Sequence, residues 1–153
     1  MKDLIVVVVA GLLWTGCQSN QPAGVQGSRP DIPVESLHTL MRTSCYACHN
    51  PNAPSHDALI APPLAAIKYR YQQRYTNRET FVAGMSAFMK WPSAESALMP
   101  GAVSRFGVMP ATTLTDEKIR SIAVYIYDNE VEKPAWFDEH FESEHGKGRG
   151  FGR

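Results

Sequence analysis

Five consecutive residues, Cys45-Tyr46-Ala47-Cys48-His49, constrain this chain more than anything else in it. Cysteines at this spacing lie one helical turn apart and project from one face, and the histidine that follows is carried to the same side. Two thiols so placed can add to the two vinyl groups of a single porphyrin, with the imidazole held beneath the ring and aimed at the iron. Other chemistries also use Cys-x-x-Cys. A thioredoxin-like pair expects a βαβ context, and no alternation of strand and helix patterns is present. A zinc site expects a fourth ligand and usually a second paired motif, whereas only the scattered His38, His56, His140 and His145 remain. Covalent attachment of one haem c is the reading the rest of the sequence has to meet.

The 153 residues have room for one domain. Fifteen basic residues balance fifteen acidic ones, so no nucleic-acid partner is expected. Three cysteines are too few for a disulfide-stapled scaffold. A core this small gains from a further cross-link, which a covalent haem would supply. At the N-terminus, Lys2 precedes the apolar run Leu4–Leu13, about half of the ~20 residues needed to span a bilayer and suited to a signal peptide. Gly16 directly before Cys17 resembles a bacterial lipoprotein signal. Residues 1–16 are therefore expected to be removed and Cys17 to be lipidated, with ordinary cleavage or an uncleaved short anchor as alternatives. Gln18 resembles an outer-membrane address, which places the expected domain on the periplasmic side of the outer rather than the inner membrane. Residues 17–31, polar and rich in Gly and Pro, read as a flexible tether.

With the pentapeptide, a preceding helix and an export signal together, the chain resembles the class I (mitochondrial-type) cytochromes c over roughly Val34 to Glu130. The resemblance implies an all-α fold packed around one haem and spanning 32–131. It also implies His49 on the iron, and a proline carbonyl accepting a bond from the other imidazole nitrogen. The segment Ala61-Pro62-Pro63-Leu64 is similar to the family's Pro-Leu element. Pro62 and Pro63 are both candidates for that carbonyl, and Leu64 for packing on the ring. Such a bond would fix the ring and raise its basicity as a ligand.

Helical spacing of Val34, Leu37, Leu40 and Met41 predicts a helix before the motif with all four on its apolar face. Leu64 to Tyr75 reads as a second helix with Leu64, Ile67, Tyr71 and Arg74 or Tyr75 facing inward. The basic-aromatic run Lys68–Tyr75 is read mainly as a solvated face. Haem propionates need donors when buried, and Tyr71, Arg74, Tyr75 and Trp91 are the candidates. A third helix is expected to start at a capping box with Thr76 as N-cap and Glu79 reaching back, to carry Phe81, Val82, Met85, Phe88 and Met89 on one face, and to end before Pro92.

The resemblance also implies a methionine as the sixth iron ligand, from a loop before the last helix. Met109-Pro110 stands closest to that arrangement, because Thr115 follows as an N-cap and Asp116 and Glu117 complement the helix dipole. Met99-Pro100 is the alternative, and the methionine not used would fill a gap in the core. Ile119, Ile122, Ala123 and Ile126 form a stripe expected to pack against the N-terminal helix. With both axial sites filled, electron transfer to redox partners of a respiratory chain is expected, and no enzyme activity. A haem enzyme or gas sensor with a labile sixth ligand is the alternative. Residues 132–153 form a C-terminal extension. Trp136, Phe137 and Phe141 are expected to dock, and the Gly/Lys/Arg end to be mobile. His140 and His145 are read as part of a solvated amphipathic segment rather than a metal site, and would be iron ligands only if neither methionine were.

Overall fold

A computed structural model describes residues 32–146. The expected signal segment 1–16, Cys17, the tether up to residue 31 and the terminal stretch 147–153 lie outside the described residues. Within them the chain is all helical and no strand occurs. The helices are α1 Val34–Ser44, α2 Leu64–Arg74, α3 Arg78–Lys90, α4 Pro100–Phe106, α5 Asp116–Asp128 and α6 Phe137–His145, with a single 3-10 turn at His56–Ala58. No described helix is long and apolar enough to cross a membrane.

The closest helix pair is α3 with α5, and α1 packs on α5 through a smaller contact. The expected contact between the first and fifth helices is present, but it is not the principal one. Charge placement at both ends gives the reason. Arg78, at the start of α3, donates from Nε and Nη2 to the two carboxylate oxygens of Asp128 at the end of α5, at 2.9 and 2.8 Å. Lys90, in the last turn of α3, donates to Asp116 in the first turn of α5 at 2.6 Å. The two helices therefore run antiparallel; Lys90 and Asp116 also complement their helix dipoles, whereas Arg78 at the start of α3 and Asp128 at the end of α5 stand against theirs. Exposed pairs of this kind contribute at most about 1 kcal/mol each, so burial supplies the cohesion. Phe81, Val82 and Met85 of α3 meet Ile122, Ala123, Val124 and Ile126 of α5 in a core that also contains Leu37, Met41 and Tyr71.

Two local expectations need correction. Asn77, not Thr76, caps α3: its backbone is extended, and its Oδ1 accepts from the Thr80 amide at 2.9 Å and from the Thr80 hydroxyl at 2.9 Å. The side chain with the stronger acceptor, one residue later, takes the cap. Thr115 does cap α5, accepting from the Lys118 amide at 3.4 Å. Val34 is 54 % exposed, because it opens α1 directly after Pro33, where no neighbouring element reaches it. Leu37 and Met41 are fully buried on that face, and Leu40 packs against the core half-buried.

Gly84 sits in the interior of α3, against its low helix propensity. A Cβ there would lie 2.4 Å from Cζ of Tyr75. The chain leaves α2 at Tyr75 and folds that ring down onto the bare backbone of α3, where it also meets Tyr71 with ring centroids 5.8 Å apart. The extension belongs to the same core: Phe137 and Phe141 of α6 are buried in it, and Pro134 is among the most deeply enclosed residues.

Candidate functional site

The pentapeptide winds up as a tight turn at the end of α1. The Cys45 amide continues the helix by donating to Met41 O at 2.8 Å, and Cys48 and His49 both donate back to Cys45 O, at 3.1 and 2.9 Å. This last turn sets the two cysteines one turn apart and carries His49 round behind them. Both thiols are free; Cys45 is half-buried and Cys48 exposed. Burial, with Cys48 adding to it, pushes the Cys45 thiol up to about 11. Among the described residues no group of three or more His, Cys, Asp or Glu side chains is placed to hold a metal ion.

His49 is held by one strong contact. Its Nδ1 donates to the carbonyl of Pro62 at 2.7 Å. Burial lowers its pKa, with the Pro62 bond opposing that effect. The ring is therefore neutral, with its proton on Nδ1 and the lone pair on Nε2 directed away from the loop. The choice of Pro62 over Pro63 has a local cause. Pro63 is the N-cap of α2, and its carbonyl is taken by the amides of Ala66 and Ile67 at 3.0 and 3.2 Å. Pro62, preceding a proline, is biased away from helical angles and its carbonyl remains outside the helix. Pro63 and Leu64 are both buried directly behind it.

The other named residues are distributed over the fold. Tyr71 lies in the core against Phe81, with centroids 5.7 Å apart. Tyr75 covers Gly84. Arg74 is exposed, its guanidinium carbon 5.4 Å from the centre of the Tyr75 ring. Trp91 is 72 % exposed, with the Lys90 ammonium 5.9 Å from its ring centre. Most of the basic run is occupied structurally: Lys68 donates to Asn129 O at 2.7 Å and Arg70 to Leu98 O at 2.8 Å.

Met99 is the N-cap of α4, and its carbonyl accepts from Ala102 and Val103. Met109 lies in the irregular segment between Gly107, which ends α4 at φ +80°, and Thr115. That segment touches α3 through the Thr112 amide, which donates to Met89 O at 3.3 Å. Both methionines are half-buried, yet neither belongs to the packed core or to the residues lining it. The gap-filling role expected for the spare methionine is not the one Met99 has.

Contacts not foreseen from the sequence bind the loop between His49 and Pro62. Trp136 donates from its indole nitrogen to Ala53 O at 2.8 Å. Arg105 of α4 donates to His56 O at 3.0 Å. The His56 ring packs on His140 with centroids 4.5 Å apart. Docking of Trp136 was foreseeable from its type, but its acceptor is a backbone carbonyl, which leaves no mark in a sequence. Arg105 sits on a helix of seven residues, too short to show a periodicity. Within the pentapeptide, Tyr46 Oη is buried without a hydrogen-bond partner, and burial, with Glu132 next in effect, pushes its pKa up to about 12. Compared with models of protein families, with curated proteins and with solved structures, the chain matches none of them.

Proposed function

We propose that this chain is a monohaem c-type cytochrome of the class I type, an electron carrier held to the bacterial envelope by a lipid on Cys17. The observation that carries the reading is the 2.7 Å bond from His49 Nδ1 to Pro62 O, made by the histidine of a Cys-x-x-Cys-His turn. A half-buried neutral imidazole, its Nδ1 proton committed and its Nε2 lone pair free, has the form of an axial iron ligand. The donor set fits the group: two reduced thiols at one-turn spacing for thioether attachment, a preset imidazole, and buried Pro63 and Leu64 beside it.

When bound, the haem supplies a one-electron iron couple. The protein's part is to hold the ligand and set that couple. Pro62 draws on the Nδ1 proton and so raises the basicity of Nε2. Met109 is proposed as the sixth ligand, since it alone precedes the helix capped by Thr115; a neutral thioether there favours the ferrous form and raises the potential. Redox partners of a respiratory chain, on the periplasmic side of the outer membrane, are part of the same proposal.

The test is haem staining after denaturing electrophoresis of protein exported with a cytochrome c maturation system. The band is expected to stain in the native chain and to lose the stain in Cys45→Ala/Cys48→Ala. An unstained native band rejects the proposal. Membrane fractionation of Cys17→Ser tests the anchor, with release of the soluble domain expected.

A further inference from the structure

The loop that delivers Pro62 has little structure of its own. Between His49 and the start of α2 it contains one 3-10 turn and the Asn50 turn, in which the Asn52 amide donates to Oδ1 at 2.9 Å. Its position is imposed from outside, by side chains far away in sequence. Trp136 holds Ala53 O at 2.8 Å across 83 positions. Arg105 holds His56 O at 3.0 Å across 49, and its Nη1 lies 2.7 Å from Nε2 of the His56 ring. The opposite side of that ring system is closed by α6, with His140 at 4.5 Å and the Trp136 edge at 6.0 Å between centroids. Pro51, Ala53 and Leu59 are buried under these contacts.

We infer that Trp136, supported by Arg105, is a positioning residue for His49: the C-terminal extension fixes the loop so that the Pro62 carbonyl stays in place as acceptor for Nδ1. The inference deepens the haem reading and rests on it. The chain of contacts is short. Trp136 and Arg105 fix Ala53 and His56, the nine and six residues that follow lead to Pro62, and Pro62 O bonds the ring. Loosening the loop weakens that bond, lowers the basicity of Nε2 and stabilises the ferric form less. The potential then rises although no residue touching the iron has changed.

Trp136→Phe is the test, since it removes the indole donor and keeps an aromatic ring against α6. It is made in the full-length, haem-loaded protein. Two outcomes are expected: faster deuterium uptake across 50–61, and a rise in the reduced-to-oxidised ratio at fixed ambient potential on the order of threefold or more. Arg105→Gln should shift both in the same direction. Phe141→Leu, which thins the packing of α6 on Tyr69 of α2 and keeps the Trp136 indole donor, is the control; it should lower thermal stability and leave the potential where it was. An unchanged potential in Trp136→Phe overturns the inference, and so does an equal shift in Phe141→Leu, which would make Trp136 a packing residue only. If the native protein carries no covalent haem, it is the functional reading that fails, and the deuterium uptake still reports whether Trp136 fixes the loop.

Discussion

The segment on the His49 side and the segment carrying the two methionines differ in how they are held. Residues 50–63 are irregular apart from one 3-10 turn, yet Pro51, Ala53, Leu59 and Pro63 are buried, and hydrogen bonds reach the segment from His49, Arg105 and Trp136. Residues 91–114 are tied differently: both segments expose an apolar side chain, Ile60 at 65 % and Trp91 at 72 %, but the backbone link from Met109's segment to α3 is a single 3.3 Å bond. One side is organised by the polypeptide alone. The other has apolar and thioether groups that the protein core does not take up. On the proposed haem reading, the permanent ligand His49 comes from the first side and Met109, which would complete the site after the cofactor arrives, from the second.

The largest expected effect comes from removing both thiols. Cys45→Ala/Cys48→Ala should abolish covalent haem and lower the melting temperature. If the contrast is sound, amide protection in what remains folded should survive better in 50–63 than in 107–114. Equal loss in both would break it.

Next is the sixth ligand. Met109→Ala should let carbon monoxide bind the ferrous protein and lower the potential by about 0.1 V or more. Met99→Ala should leave ligation intact. Because Met99 lies off the core, its truncation should cost less than the 2–5 kcal/mol typical of a fully buried site, read by denaturant titration. The reverse result would assign the sixth position to the head of α4.

A smaller effect is expected at Gly84. Alanine gains about 1 kcal/mol of helix propensity there but must displace the Tyr75 ring at 2.4 Å, so a net loss of about 1–2 kcal/mol is expected. The spectrum of the haem should not change, since this packing lies behind both segments.

The smallest belongs to the α3–α5 clasp. The Arg78 bond holds the Asp128 carboxyl below its ordinary 3.8. Folding therefore favours the charged form: the stabilisation is present above that pH and is lost as pH falls through the folded-state value. The Asp128 side chain is 40 % exposed, so Asp128→Asn should cost under about 1 kcal/mol at neutral pH. It should also flatten the acid limb of the stability curve, as urea midpoints across pH would measure.

How far the sequence could be read follows the same contrast between local and distant causes. The pentapeptide, the Thr115 cap and the apolar faces of α3 and α5 are local patterns, and each appears where the pattern puts it. The decision between Pro62 and Pro63 was out of reach, because it depends on which carbonyl the first turn of α2 consumes. The cap of α3 was missed by one residue because Thr76 and Asn77 are adjacent acceptors, and backbone geometry at a single residue decides between them. The clasp between α3 and α5 joins Arg78, Lys90, Asp116 and Asp128, whose types are ordinary on a helix surface and acquire meaning only when two helices meet. Trp136 bonds a backbone carbonyl, invisible to any pattern of side chains, and Arg105 reaches both the carbonyl and the ring of His56 from a helix 49 positions away.

The bonds that join the two ends of the described chain bear on when the molecule can close. His38 of α1 pairs with Glu132 across 94 positions at 2.6 Å, and Trp136 reaches Ala53 across 83. A chain that emerges N-terminus first cannot make either contact until nearly all of it has appeared, and contacts of such long separation form slowly. Throughout that interval the turn at Cys45–His49 stays accessible on an unfinished surface, without α6 over its loop. If the turn carries a haem, as proposed, the docking of α6 over its loop is the step that follows attachment, while Cys48 remains exposed in the finished fold.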